Sequence, residues 1–172
     1  MYHSWTLMRY YDMIKRLCIA CVGLMLLSSC GEYYRVQKSS DLNERYSFAK
    51  KSYNEKKYGR VVNLLEDIVP QFVGTSEGPQ STYLLADAYL QQGDESEASR
   101  YFQNYYTSYP KGPMAEEARF KAGYCLFQES PDPRLDQSAT IGAIKELQSY
   151  LEFYPEGQHR AEVEQMLFEL QD

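Results

Sequence analysis

Catalytic chemistry in this chain would have to come from very few residues. It holds two histidines, His3 and His159, and four cysteines, Cys18, Cys21, Cys30 and Cys125. One His and one Cys at unrelated positions, His159 and Cys125, make neither a metal site nor a Cys-His nucleophile. No glycine-rich loop of the phosphate-cradling kind occurs. Carboxylates are plentiful, but Asp94-Glu95, Glu116-Glu117, Glu162 and Glu164 fall near predicted helix starts. Acidic residues there complement the positive end of the helix dipole. The expectation is a non-enzymatic protein without a metal or bound cofactor. The one residue with a covalent chemistry written around it is Cys30.

Residues 13–31 read MIKRLCIACVGLMLLSSCG. Lys15 and Arg16 form a short positive region, Leu17 to Leu27 is an apolar run of eleven residues, and Ser28-Ser29 precede Cys30. That order is a secretory signal peptide. The run is too short for a spanning helix, which needs about 20 residues. LSSC resembles a bacterial lipobox, in which cleavage precedes the cysteine, its sulfur receives diacylglycerol and its new amino group an acyl chain. An ordinary cleaved signal, or an uncleaved anchor with an incidental cysteine, are the other readings of the segment. Several acyl chains on one residue anchor stably where one is marginal. MYHSWTLMRYYD, ahead of Met13, has no place in this plan, and a start at Met13 gives a compact signal. Residues 1–29 are therefore read as signal peptide, 30–40 as a lipidated tether and 41–172 as the folded domain. After processing Cys125 is alone, so no intramolecular disulfide is expected, and it reads as a small buried hydrophobe.

What the folded domain does follows from its elements. From Asp41 on, apolar residues recur at helical spacing and nothing alternates as a strand does. The clearest unit runs from Ser81 to Pro110. Leu84, Leu85, Ala88 and Tyr89 stripe a first helix, Gly93-Asp94 turns the chain, and Ala98, Phe102, Tyr105 and Tyr106 stripe a second that Pro110 ends. Helix, tight turn, helix, Pro is the pattern of a tetratricopeptide repeat, with a period of about 34 residues. Weaker units flank it. The first has Ala49 in its first helix and Val61, Leu65 and Ile68 in its second. The third has Gly123, then Ala143, Leu147 and Tyr150, ending at Pro155. SYPKGPMAEEA and FYPEGQHRAEV mark the joints between units, 45 residues apart at their prolines, with the excess in the loop Ser130–Ser138. The fold expected is all-α, a tetratricopeptide-repeat superhelix of about three hairpins plus a final helix. Its units are 41–73, 79–110 and 113–155, and its last helix 158–171.

A lipobox, a short tether and repeats ending in Tyr-Pro resemble the BamD (YfiO/ComL) family, outer-membrane lipoproteins of the β-barrel assembly machinery. The marks are RYSFAK, ADAYLQQGDESEASRYFQNYYTSYP, RFKAGYCLF and the loop DPRLDQ, within Glu44 to Leu170. Val73 and Val61 depart from the pattern, standing for the first repeat's terminal Pro and small Ala, and the family carries more repeats than this chain. The resemblance implies a protein at the periplasmic face of the outer membrane, lipid-anchored. Its implied partners are a BamA-like barrel component and unfolded outer-membrane proteins. A generic periplasmic tetratricopeptide adaptor of the Tol-Pal, cell-envelope type is the alternative. That type normally has an N-terminal coiled coil, and no heptads precede these repeats. A peptidoglycan enzyme would need a separate catalytic domain.

Stacked hairpins curve, and the first helix of each lines the concave face. The candidate peptide-binding groove is Tyr46, Lys50, Tyr53 and Asn54 of the first unit, Tyr83, Asp87, Leu90 and Gln91 of the second, and Phe120 and Phe127 of the third. Packing between helices is the competing role for Tyr46 and Tyr83. By resemblance the ligand is the terminal targeting strand of an unfolded barrel protein. The net charge of −6 argues against nucleic acid.

Overall fold

In a computed structural model the described residues are Met13, Lys15, 31–130 and 137–170. Cys30 and, apart from Met13 and Lys15, the signal segment lie outside them, as does the centre of the Ser130–Ser138 loop. Every regular element among the described residues is helical. Residues 31–37 are helical and are called α1. There follow α2 (Leu42–Asn54), α3 (Tyr58–Leu65), a 3₁₀ turn (Val69–Phe72), α4 (Gly78–Gln92), α5 (Glu95–Ser108), α6 (Ala115–Glu129), α7 (Gln137–Phe153) and α8 (Arg160–Glu169).

The chain divides into two compact units between Glu44 and Arg45. In the first, residues read as a tether are helical at 31–37. Tyr33 and Val36, three apart and so on one helix face, are buried. Asp41 Oδ1 accepts from the backbone N–H of Asn43 (2.9 Å) and Glu44 (3.2 Å), capping the start of α2. Glu44 pairs with Arg35 at 2.8 Å.

The second unit is a run of helix hairpins in which α3 packs on α4, α4 on α5, α5 on α6, α6 on α7 and α7 on α8. Most residues of the stripes expected from the sequence are its core, whereas Tyr106, read with them, is half-buried and donates to Glu146 at 2.9 Å. Val61, Leu65, Ile68, Ala98, Phe102, Tyr105, Ala143, Leu147 and Tyr150 are all buried. Gly93 closes α4 in the left-handed region (φ 77°), and Asp94 caps α5 by accepting from Glu97 N. At Gly123 a Cβ would lie 2.8 Å from Leu147 Cδ2, so the missing side chain lets α7 approach α6. Arg45 ties α2 to α3, donating to the Leu64 carbonyl (3.0 Å) and to Asp67.

The repeated joint is the same structure twice. In the first copy Tyr105, in the last turn of α5, accepts at its hydroxyl from Met114 N (3.3 Å) at the start of α6. In the second copy Tyr150 of α7 accepts from His159 N (3.1 Å) at the start of α8. Each hydroxyl crosses a glycine. A Cβ at Gly112 would sit 2.7 Å from Tyr105 Oη, and one at Gly157 would collide with Tyr150 Oη and lie 2.7 Å from Glu116 Oε1. Tyr150 also donates to Glu116 (2.8 Å), which accepts in turn from Gln158 N (2.9 Å). Burial pushes the Tyr150 phenol up to about 12, with the Glu116 carboxylate adding to the effect. Glu116 and Glu117, read from the sequence as dipole partners, are joint residues: Glu117 Oε2 is 2.7 Å from His159 Nε2.

The tyrosines of a joint are thus not equivalent. Tyr105 and Tyr150 use their hydroxyls, whereas the Tyr109 hydroxyl is buried without a partner. Tyr150→Phe is expected to lower unfolding free energy by about 1–2 kcal/mol, and Tyr109→Phe to leave it within about 0.5 kcal/mol of the parent. Gly157→Ala should cost about 1–3 kcal/mol through overpacking. Urea unfolding followed by circular dichroism checks all three, and equal effects of the two Tyr→Phe changes would contradict the joint geometry.

Candidate functional site

An open groove of about 560 Å³ lies along the first helices of the second unit's first two hairpins. Tyr53 of α2 forms one wall. Pro79, Tyr83, Leu84 and Asp87 of α4 form the floor. Tyr105, Pro113 and Met114, from the joint between α5 and α6, close the other side, and Ser76 and Gln80 complete the lining. Tyr83 is held upright by edge contacts to Phe102 (5.4 Å) and Tyr105 (5.7 Å).

The floor is organised by a three-residue ladder. Asp87 is buried, and its Oδ2 accepts a hydrogen bond from the Tyr53 hydroxyl. Its Oδ1 accepts from Lys121 Nζ at 2.7 Å. The side chain of Asp87 is 6% exposed and that of Lys121 22%. Tyr53, Asp87 and Lys121 are each 34 residues apart, one tetratricopeptide period, and come from α2, α4 and α6. Burial works against the Lys121 charge, but hydrogen bonds to Asp87 and Tyr83 outweigh it and hold the ammonium above its ordinary range. Burial, then the Asp87 bond, pushes the Tyr53 phenol well up. The Lys121 ammonium also lies 5.2 Å from the Tyr83 ring centre. Tyr46 and Gln80 repeat the 34-residue spacing, joined by a hydrogen bond of 2.9 Å.

Of the residues read as a groove, Tyr53, Tyr83 and Asp87 line it together. Lys50, Asn54 and Gln91 are exposed, and Leu90 is half-buried, none of them part of the lining. Tyr46 is buried, its ring 5.5 Å from Phe72 and under Lys50 Nζ, so it packs between helices. The two third-unit aromatics are a correction. Phe120 is buried with Leu147, Tyr150, Val163 and Met166, its ring stacked on His159 at 3.8 Å, and Phe127 packs against the same cluster. α6 is turned by one residue from the expected register, so that Lys121, not Phe120, reaches the ladder. Leu84, read as core, lines the groove and is half-buried. Lys121 was missed, as were Ser76, Pro79, Gln80, Pro113 and Met114 of the lining. The 34-residue spacing of Tyr53, Asp87 and Lys121 was the available signal.

A second hollow, of about 510 Å³, opens at the α4–α5 turn and is lined by Val62, Tyr89, residues 92–96 and Glu129. None of the predicted residues belongs to it. The Cys125 thiol is buried and free, pushed up to about 12 by desolvation, and so is unreactive. Among the described residues no cluster of His, Cys, Asp and Glu could hold a metal ion, and no helix is long and apolar enough to cross a membrane.

If Asp87 couples the outer rungs, Tyr53→Phe and Lys121→Met will not act independently, although 68 positions separate them. A double-mutant cycle on unfolding free energy should give a coupling of at least about 0.5 kcal/mol, where unlinked sites add. Strict additivity would remove the ladder as a unit.

Two comparisons with known proteins bear on this geometry. The family model YfiO, described as "Outer membrane lipoprotein", matches residues 38–172. A curated protein of Aquifex aeolicus (strain VF5), named putative outer membrane protein assembly factor BamD, is 25% identical over 129 residues. The match covers 71% of this chain and 40% of that protein. The chain therefore spans less than half the length of this relative. With the family model matched over most of its length, including every helix from α2 to α8, the chain belongs to the YfiO family of outer membrane lipoproteins.

Proposed function

We propose that this chain is a lipid-anchored scaffold of the outer-membrane protein assembly machinery, without enzymatic activity, that recognises unfolded β-barrel proteins through the groove of its first two hairpins. The observation that carries the reading is the juxtaposition of Tyr53, Tyr83 and Asp87, from successive units, on one open groove in a chain of this family. An extended strand suits such a groove. Its side chains can enter between the aromatic walls, and its backbone can meet Gln80, Ser76 and the phenol groups. The assembly role is supported by the family description and by the name of the Aquifex relative. A BamA-like barrel component is the partner proposed for the scaffold.

Peptide binding is tested with Tyr53→Ala combined with Tyr83→Ala, since buried aromatic anchors carry much of the affinity in such sites. Fluorescence anisotropy with a peptide from the C-terminal strand of an outer-membrane barrel protein should show at least about tenfold weaker binding, the loss expected when hot-spot aromatics go. Circular dichroism checks that the fold survives. A folded double variant that binds like the parent assigns both tyrosines to packing. A parent that ignores the peptide leaves a generic envelope adaptor as the better description.

The anchor is proposed at Cys30. Cys30→Ser should leave the protein unprocessed or released from the membrane fraction, because the diacylglycerol is proposed to attach through this thiol. A variant that still sediments with outer membranes contradicts the lipid anchor.

A further inference from the structure

We propose that the Asp87–Lys121 pair makes the groove an electrically neutral slot, which selects an uncharged aromatic or aliphatic side chain of its peptide and rejects charged ones. The proposal rests on the peptide-binding reading above and names the side-chain class that the groove takes.

Asp87 is the one charged side chain among the residues that line the groove. Both of its oxygens are engaged, one by the Tyr53 hydroxyl and one by Lys121 Nζ. Lys121 is not among the groove-lining residues; its ammonium lies against the rings of Tyr83 and Phe102, and its side chain is 22% exposed. The single negative charge of the floor is therefore matched by a single positive one. The remaining surface is tyrosine rings, Pro79, Pro113, Leu84 and Met114, with amide and hydroxyl groups from Gln80 and Ser76. A peptide carboxylate or ammonium entering this slot would lose water and find no free counter-charge, which is unfavourable. An aromatic or aliphatic side chain meets apolar walls, and the thioether of Met114 adapts to its shape. Selectivity in this arrangement comes from a residue of the third hairpin that is not part of the groove lining. Lys121 is a positioning and charge-compensating residue.

The pair makes an experimental prediction of opposite sign at its two ends. The probes are three fluorescein-labelled ten-residue peptides of alternating Val and Thr that differ at one terminal position, Phe, Lys or Glu. The parent should bind the Phe peptide at least about tenfold more tightly than either charged one. Lys121→Met leaves Asp87 without its counter-ion, and the ratio of Lys-peptide to Phe-peptide affinity should rise by about tenfold. Asp87→Asn leaves Lys121 unmatched, and the Glu peptide should gain instead. The double variant Asp87→Asn/Lys121→Met is neutral again and should return to the parent order. It also serves as the test if a single variant fails to fold by circular dichroism. A parent that binds the three peptides equally, single variants that shift in the same direction, or a folded double variant that fails to prefer Phe each overturn the neutral slot while the peptide reading stands. A parent that binds none of the three overturns both.

Discussion

The constraint on which the second unit turns is the registration of successive first helices at a distance of one repeat. A residue in α2 meets the residue 34 positions later in α4, and that one meets its counterpart in α6. At the position of Tyr53, Asp87 and Lys121 the three residues are a donor, a shared acceptor and a cation. Because Asp87 is buried, its charge is costly without its partners. The groove inherits its shape from that condition. Tyr53 stands where Asp87 holds its hydroxyl, and Lys121 lies against the Tyr83 ring. A hairpin rotated by one residue would bring Phe120 to the ladder and leave the carboxylate without its cation.

Registration of first helices requires the hairpins to be joined at a fixed angle, and this is the role of the repeated joint. A tyrosine hydroxyl at the end of a second helix accepts from the backbone N–H that opens the next hairpin, over a glycine that cannot carry a side chain. The 45-residue spacing of the two joints does not disturb this, because the extra chain falls within the α6–α7 hairpin. The joint is local, spanning ten residues from Tyr105 to Met114 and again from Tyr150 to His159, and it tolerates the insertion for that reason.

The helices, their order and their buried stripes were legible because they depend on local spacing of apolar residues. Ala98, Phe102 and Tyr105 announce a helix face whatever lies opposite. Two kinds of feature were not. The first is rotation about a helix axis. Phe120 and Lys121 differ by about 100° on the helix, and the sequence offers an apolar residue to either side. Only the cluster of Leu147, Tyr150, Val163 and Met166 decides that Phe120 turns inward. The second is the polar pairing of distant residues. Asp87 alone reads as a groove carboxylate, and Tyr53 as an aromatic wall. Their bond is visible only when the 34-residue period is applied to polar residues as well as apolar ones. Glu116 and Glu117 do stand in the first turn of α6, but their second role in the joint was hidden for the same reason, since helix-start acids have a sufficient local explanation and these partners lie some 40 positions away.

The central claim is that an extended peptide lies in the groove floored by α4. The most direct measurement is photo-crosslinking of a barrel-strand peptide carrying benzoylphenylalanine at its terminal aromatic position, with adducts mapped by mass spectrometry on the full chain. The account predicts adducts concentrated on Tyr53, Tyr83, Leu84 and Met114, competed away by excess unlabelled peptide. Adducts at the Gly93–Ser96 hollow, or on exposed Phe153 and Phe168, with the groove residues unlabelled, would contradict it.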